Sequence, residues 1–104
     1  MNNISESDWK YLRGVKDELL ETLCKRINNE ASQILTGPSL SRHEKFLRLF
    51  KHIMEKNEII ARCFDDWRRS NIVVKLIWLR EEQLLTGKYM SRLSEETRGK
   101  NNWM

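Results

Sequence analysis

The chain has 104 residues, of which 39% are hydrophobic and 33% are charged. This length suits one domain at most, and the composition is too apolar for a disordered chain and too charged for a membrane protein. The formal net charge of +4 is small and evenly spread, whereas a nucleic-acid-binding protein usually carries a dense basic stripe.

The first ten residues lack the basic segment and the apolar segment of a secretory signal. The most apolar run, Ile72 to Leu79, is too short to span a membrane. We therefore expect a cytoplasmic protein with no membrane partner. In that compartment Cys24 and Cys63 are expected to stay reduced and to act as small buried hydrophobic residues.

A first helix is predicted over about residues 7–35. Ser5 can cap its N-terminus, and apolar residues recur every three or four positions from Leu12 onward. The dipeptide Gly37-Pro38 ends this helix, because proline cannot continue a helix and glycine suits a left-handed cap.

The next 48 residues, from 39 to 86, contain neither glycine nor proline. Ser41 and Glu44 have the spacing of a capping box, so a long helix is predicted over about residues 41–84. A continuous helix of that length would measure about 70 Å, whereas a compact domain of this size has a radius of gyration of about 13 Å. The helix must therefore bend, break, or protrude and find a second chain.

The weakest point of this tract is Arg69-Ser70-Asn71. The segment after it, Ile72 to Leu79, is apolar on nearly every side, which is typical of a buried helix. Its β-branched residues would also suit a strand, since periodicity does not decide for so short a run. We favour a helix, because the chain offers no second strand to pair with it. Short helices over about residues 87–98 complete a single all-α domain, a long-helix bundle that spans residues 1–104.

The residue types that usually catalyse reactions or bind metals do not have the sequence spacing of a known catalytic or metal site. Four potential metal ligands lack the short spacings of a zinc site: Cys24, His43, His52 and Cys63. Asp65 and Asp66 are adjacent, so on a helix they point about 100° apart and cannot act as a carboxylate pair. Glu55 and Glu58 share a helical face, but no nucleophile or glycine-rich phosphate loop accompanies them. We expect no enzymatic activity and no cofactor.

Large apolar residues recur along the long tract in alternating steps of four and three, which is the spacing of a helix that pairs with another helix. The predicted dimer interface consists of Phe46, Phe50, Ile53, Asn57, Ile60, Phe64 and Trp67. An asparagine at such a position fixes the register of the pair at a cost in stability. The same stripe could instead pack on the first helix of its own chain, and this alternative stays open. The length of the tract and its aromatic content favour a homodimer.

A small basic regulator that associates with nucleic acid is the alternative function. Basic side chains cluster around the middle of the tract, with two tryptophans among them: Arg62, Trp67, Arg68, Arg69, Lys75 and Trp78. Arginine can hold phosphates while aromatic rings stack on bases. Asp65 and Asp66 would repel phosphate, however, and could themselves pair with the arginines.

One part of the chain carries a family resemblance. It comprises Asp66-Trp67-Arg68-Arg69-Ser70, the apolar helix after it, Arg80-Glu81, Leu85-Thr86 and Leu93-Ser94-Glu95-Glu96. Over about 35 residues, a third of the chain, this order resembles the C-terminal half of the cyanobacterial fluorescence recovery protein family. The resemblance implies a helical protein that dimerises through long helices, has no enzymatic activity and binds a client, the photoactivated orange carotenoid protein.

Partner binding is then expected to centre on Asp65, Asp66, Arg68 and Arg69, with Arg62 beside them, and to act by stabilising one state of the client. The chain departs from the family pattern in two places. It has no tryptophan between Trp9 and Trp67, and Arg69 stands where the family has a second aromatic residue. We therefore expect a distant relative with an unidentified client.

Overall fold

The computed structural model describes residues 4–100, which form five α-helices and no strand. The helices are α1 (Glu6–Thr36), α2 (Arg42–Phe64), α3 (Ile72–Glu81), α4 (Gly87–Met90) and α5 (Glu95–Lys100). The predicted all-α fold is confirmed, and α3 is a helix despite its β-branched residues. Within the described range, no helix is both long and apolar enough to cross a membrane.

Serine side chains cap the N-termini of the two long helices. Ser5 accepts a hydrogen bond from the Asp8 amide at 3.1 Å. Ser41 forms the predicted capping box with Glu44, and both of its hydrogen bonds measure 3.1 Å. Gly37 follows α1 with φ −61° and ψ 131°, so the left-handed cap predicted there is wrong, and extended backbone leads the chain out of the helix.

α1 and α2 pack against each other as an antiparallel hairpin. In the middle of the hairpin, His52 Nε2 lies 3.1 Å from the carbonyl oxygen of Ile27. Beyond the end of α2, Arg69 reaches the carbonyl oxygen of Ile4, just before α1 begins. Residues further along the chain after the turn therefore contact residues nearer the start of α1, as expected for two antiparallel helices joined by a short turn.

The long helix predicted over residues 41–84 is broken between α2 and α3. Asp65 ends α2, and Asp66 adopts a left-handed backbone with φ 54°, which interrupts the helical hydrogen bonding. Trp67 then stacks on Phe64, with ring centroids 5.6 Å apart. The break therefore begins earlier than the predicted weak point at residues 69–71.

The core lies where α1, the end of α2 and the three C-terminal helices meet. Its buried residues include Leu12, Leu19, Leu23, Cys63, Phe64, Ile72, Leu76, Leu79, Leu84, Leu85, Tyr89 and Leu93. Between residues 28 and 62 every residue is half-buried or exposed, so this part of the hairpin forms an arm that extends from the core. The molecule accordingly measures 52 × 27 × 23 Å, with a radius of gyration of 16.7 Å.

A left-handed turn closes α3. Gln83 has φ 59°, and the amide of Leu84 donates to the carbonyl oxygen of Leu79 at 2.9 Å, as in a Schellman motif. Arg26 of α1 donates to the carbonyl oxygens of Glu82 and Gln83 at 2.8 and 3.0 Å. α1 thereby satisfies the carbonyl groups at the end of α3 and fixes its position.

Candidate interaction surface

α2 carries two stripes at heptad spacing, and the first of them faces α1. Its members are half-buried or buried: Lys45, Leu49, His52, Lys56, Ile59 and Cys63. Cys63 is fully buried, and Ile59 packs against the core. The contact between α2 and α1 therefore uses a stripe displaced by one residue from the stripe predicted to form a dimer.

The second stripe faces solvent in the N-terminal half of α2. Its apolar residues Phe46, Phe50 and Ile53, together with Leu47 and Met54 beside them, form what we call the α2 apolar face. Their exposed fractions range from 50% to 60%. The rings of Phe46 and Phe50 stack with centroids 6.5 Å apart. Single exposed apolar side chains are common on protein surfaces, whereas a contiguous set of this kind is a candidate interaction site.

The predicted dimer interface is divided between solvent and core. Four of its residues are exposed: Phe46, Phe50, Ile53 and Asn57. Ile60 and Trp67 are half-buried against the core, and Phe64 is only 4% exposed. The C-terminal end of the stripe therefore packs within its own chain, which is the alternative that the sequence left open. Phe64 is enclosed by its own chain, which corrects its assignment to a dimer interface.

Arg69, expected to bind a partner, is bonded within the chain. Its Nε and Nη2 donate to the carbonyl oxygen of Ile4 at 3.0 and 2.6 Å. Its Nη1 lies 3.3 Å from the Glu6 carboxylate. These contacts tie the start of α1 to the segment between α2 and α3, which we call the junction (residues 65–71). The donors of Arg69 are therefore directed to groups of its own chain.

Three other residues expected to bind a partner are exposed at the junction. Asp66 and Arg68 form an ion pair at 3.2 Å, and each side chain is 66% exposed. Asp65 lies next to them at the end of α2 and is exposed as well. The junction thus presents two carboxylates and one guanidinium on a turn whose backbone is fixed.

Arg62 and Lys75, two cations on which the nucleic-acid alternative depended, also make contacts within the chain. The guanidinium of Arg62 lies over the Trp78 ring, 4.9 Å from its centroid. Lys75 Nζ donates to the carbonyl oxygen of Arg62 at 2.9 Å. Arg62 is exposed nonetheless, so one face of its guanidinium can meet a partner at the edge of the junction.

A buried carboxylate that the sequence did not single out fixes the C-terminal helix. Asp8 is only 4% exposed and accepts hydrogen bonds from the Ser94 amide and hydroxyl and from the Thr97 hydroxyl. Burial alone would raise the pKa of Asp8, but these hydrogen bonds outweigh it and hold the pKa below its usual value. The pattern of Ser94 and Thr97 indicates a helix start, whereas nothing local marks Asp8 as its partner.

The ionisable groups of the described residues offer little reactive chemistry. Within residues 4–100, no group of three or more His, Cys, Asp or Glu side chains could hold a metal ion. Burial raises the pKa of Cys63 to about 11, so this thiol stays protonated at neutral pH. The Tyr89 hydroxyl donates to Glu18, which raises the pKa of Tyr89 and lowers that of Glu18. Cys63 is thus part of the core, and the bond between Tyr89 and Glu18 joins α4 to α1.

Comparison with protein-family models, with curated proteins and with solved structures finds no match for this chain.

Proposed function

We propose that the chain is a homodimeric protein-interaction module that binds one state of a client protein and stabilises it. The α2 apolar face carries this proposal. α2 already packs on α1 through one stripe, and the exposed N-terminal half of the second stripe at heptad spacing has no partner within the described part of the chain. Burying each of its half-exposed side chains would contribute on the order of 1 kcal/mol, which favours association.

A second copy is the partner that the α2 apolar face fits best. Its heptad spacing is the pattern of a helix that pairs with a like helix, and Asn57 supplies the polar residue that fixes register. Phe46 and Phe50 provide the aromatic content typical of interface centres. The arm extends away from the core, which leaves room for a second arm along it. A two-fold symmetric pair would bury the face of both copies at once.

The client would bind at the junction, through Asp65, Asp66 and Arg68, with Arg62 at its edge. The left-handed Asp66 and the bonds between Arg69 and Ile4 hold this turn in one conformation, which lowers the entropic cost of binding. The resemblance to the fluorescence recovery protein family begins at this turn. It supports a regulatory, non-enzymatic role in the cytoplasm that requires no cofactor.

A nucleic-acid-associated regulator has less support. Arg69 and Lys75 direct their donors to backbone carbonyl oxygens, and Asp66 neutralises Arg68. Binding to random DNA across a salt series separates the two functions. A slope near zero for log affinity against log salt is expected, whereas a steep negative slope would favour nucleic acid.

Thermal unfolding across a range of protein concentrations tests the homodimer. If dimerisation stabilises the fold, Tm rises with concentration. Phe50→Glu should abolish that rise, because it places a charge in the α2 apolar face. Val74→Glu is the matched control, since Val74 is 53% exposed on α3, outside the face. A wild-type Tm that stays constant from low to high micromolar concentration would contradict the homodimer.

The client is tested separately with purified, photoactivated orange carotenoid protein. Its return to the resting form is followed with and without an equimolar amount of the chain. Acceleration that is lost in Asp65→Lys and Arg68→Glu would support binding at the junction. An unchanged rate with the wild-type chain would contradict the carotenoid protein as the client.

A further inference from the structure

A cleft lies between α1 and α2 on the flank of the arm that is turned away from the α2 apolar face. It has a volume of about 580 Å³ and extends from the turn between the helices, at Ser39, to Lys56. Arg48 of the cleft and Phe50 of the apolar face are two residues apart, so their side chains point about 160° apart on α2. We call this cavity the arm cleft, and a ligand in it would leave the apolar face uncovered.

Part of the charge inside the arm cleft is already paired. The carboxylate of Glu30 on α1 lies 3.6 Å from His52 Nε2 and 3.9 Å from Lys56 Nζ. His52 Nε2 also lies 3.1 Å from the carbonyl oxygen of Ile27. These contacts join the two helices along the inner wall of the cleft, so Glu30 and Lys56 are less available to a ligand.

Two other charged side chains of the cleft have no bonded partner. Arg48 and Glu55 are exposed, and within residues 4–100 neither makes a hydrogen bond or an ion pair. Hydrogen bonds with Ser41 lower the pKa of Glu44, and the nearby charge of Arg48 adds to that effect, but the capping box holds Glu44 on Ser41. The cleft therefore offers a ligand one guanidinium and one carboxylate.

The spacing of these two charges selects a ligand. Arg48 and Glu55 are seven residues apart, so they lie on one side of α2, about 10 Å apart along its axis. A fully extended peptide of three residues also spans about 10 Å. Its carboxylate suits the forked donors of a guanidinium, and its ammonium group suits a carboxylate.

We propose that the arm cleft binds a short zwitterionic peptide of about three residues. The C-terminal carboxylate of the peptide binds Arg48, near the turn, and its N-terminal ammonium group binds Glu55. The reverse orientation would place like charges together at both ends. This is a binding site in addition to the proposed dimer interface and to the junction.

The wall between the two charges suits the rest of such a peptide. Ile34 and Leu40 are half-buried, so their remaining surface can contact small apolar side chains. Gln33 and Ser39 line the same cleft, and their side chains form no hydrogen bond within residues 4–100. An amide and a hydroxyl group can both donate and accept, as the peptide groups of a ligand require.

Trialanine is the probe, and its titration into isotope-labelled protein is followed through amide chemical shifts. We expect saturable shifts at Gln33, Ser39 and His52, with a dissociation constant on the order of 1 mM. Absence of saturable shifts at these residues, at peptide concentrations far above that value, would overturn the proposal.

Two blocked peptides test the role of each charge. N-acetyl-trialanine lacks the ammonium group, and trialanine amide lacks the carboxylate. Each should bind about two- to fivefold more weakly than trialanine, because each loses one solvent-exposed ion pair. Equal affinity of all three peptides would overturn the assignment of the ligand.

Variants then assign each end of the peptide to a residue. Arg48→Gln should weaken the binding of trialanine by the same factor and leave that of trialanine amide unchanged. Glu55→Gln should weaken the binding of trialanine and leave that of N-acetyl-trialanine unchanged. Weakening of all three peptides alike would indicate a structural effect and overturn the assignment.

Matched controls remove charges outside the cleft. Lys25→Gln and Glu58→Gln change exposed side chains that do not line it and should leave the affinity for trialanine unchanged. Phe50→Glu should also bind trialanine with unchanged affinity, since its change lies on the other side of α2. Failure of the homodimer and failure of the cleft site are therefore read separately.

Discussion

Thr97 Oγ1 lies 2.6 Å from Oδ2 of Asp8, eighty-nine residues earlier in the chain. The same carboxylate oxygen accepts from the Ser94 hydroxyl at 2.6 Å. One buried carboxylate of α1 therefore holds the start of α5, where the Ser94 hydroxyl accepts from the Thr97 amide at 3.3 Å, and it joins the two ends of the described chain. Stability of the C-terminal end should depend strongly on this residue.

Asp8→Ala should lower the free energy of unfolding by about 3 kcal/mol, because it leaves the amide of Ser94 and the hydroxyl of Thr97 without their acceptor. Asp17→Ala is the control, since Asp17 is exposed on the same helix. Chemical denaturation at pH 7 measures both. Equal effects of the two substitutions would show that the carboxylate contributes nothing beyond its place in a helix.

The contribution of Asp8 should disappear in acid. Its pKa is lowered in the folded state, so its stabilisation is present above the unfolded pKa of about 3.9 and is lost as pH falls through the folded value. The difference in unfolding free energy between wild type and Asp8→Asn should therefore be largest near pH 7 and shrink below about pH 4. A difference that stays constant down to pH 2 would contradict this account.

Arg69 and Arg68 are adjacent arginines with opposite surroundings. Arg69→Ala should cost about 2 kcal/mol, because Ile4 loses a charge-assisted hydrogen-bond donor at its carbonyl oxygen. Arg68→Ala should change stability by less than about 1 kcal/mol, since its ion pair is exposed and screened by solvent. Denaturation of the two variants under one condition tests the distinction, and a reversed order would disprove it.

Gln83 has a left-handed backbone that glycine adopts more readily. Gln83→Gly should therefore raise the free energy of unfolding by up to about 1 kcal/mol. Gln33→Gly, inside α1 where the backbone is helical, should lower it by about 1 kcal/mol. Thermal melts of both variants give the comparison, and a loss of stability in Gln83→Gly would indicate that its side chain matters more than its backbone.

Local sequence patterns predicted the helices well. The serine caps, the Gly37-Pro38 turn and the apolar run after residue 71 each act through neighbouring residues, so each is readable without the fold. The break after α2 was placed too late, because it depends on the left-handed Asp66 and on Trp67 stacking against Phe64. Neither contact follows from the period of the apolar residues.

Long-range contacts account for most of what the sequence did not reveal. The bond from Arg69 to Ile4 spans 65 residues, and no local pattern distinguishes Arg69 from its exposed neighbour Arg68. The sequence identified the stripe of α2 that contains Phe50. The stripe that faces α1 lies one residue earlier, has the same spacing and includes polar members such as Lys45 and His52. Only packing shows which of the two stripes α1 covers.

The proposed homodimer pairs two copies of the chain through the α2 apolar face. The most direct test is the molar mass of the wild-type protein by light scattering, measured up to high micromolar concentration beside Phe50→Glu. We expect twice the 12.5 kDa mass of one chain for wild type and the mass of a single chain for Phe50→Glu. A wild-type mass of 12.5 kDa at every concentration would contradict the claim.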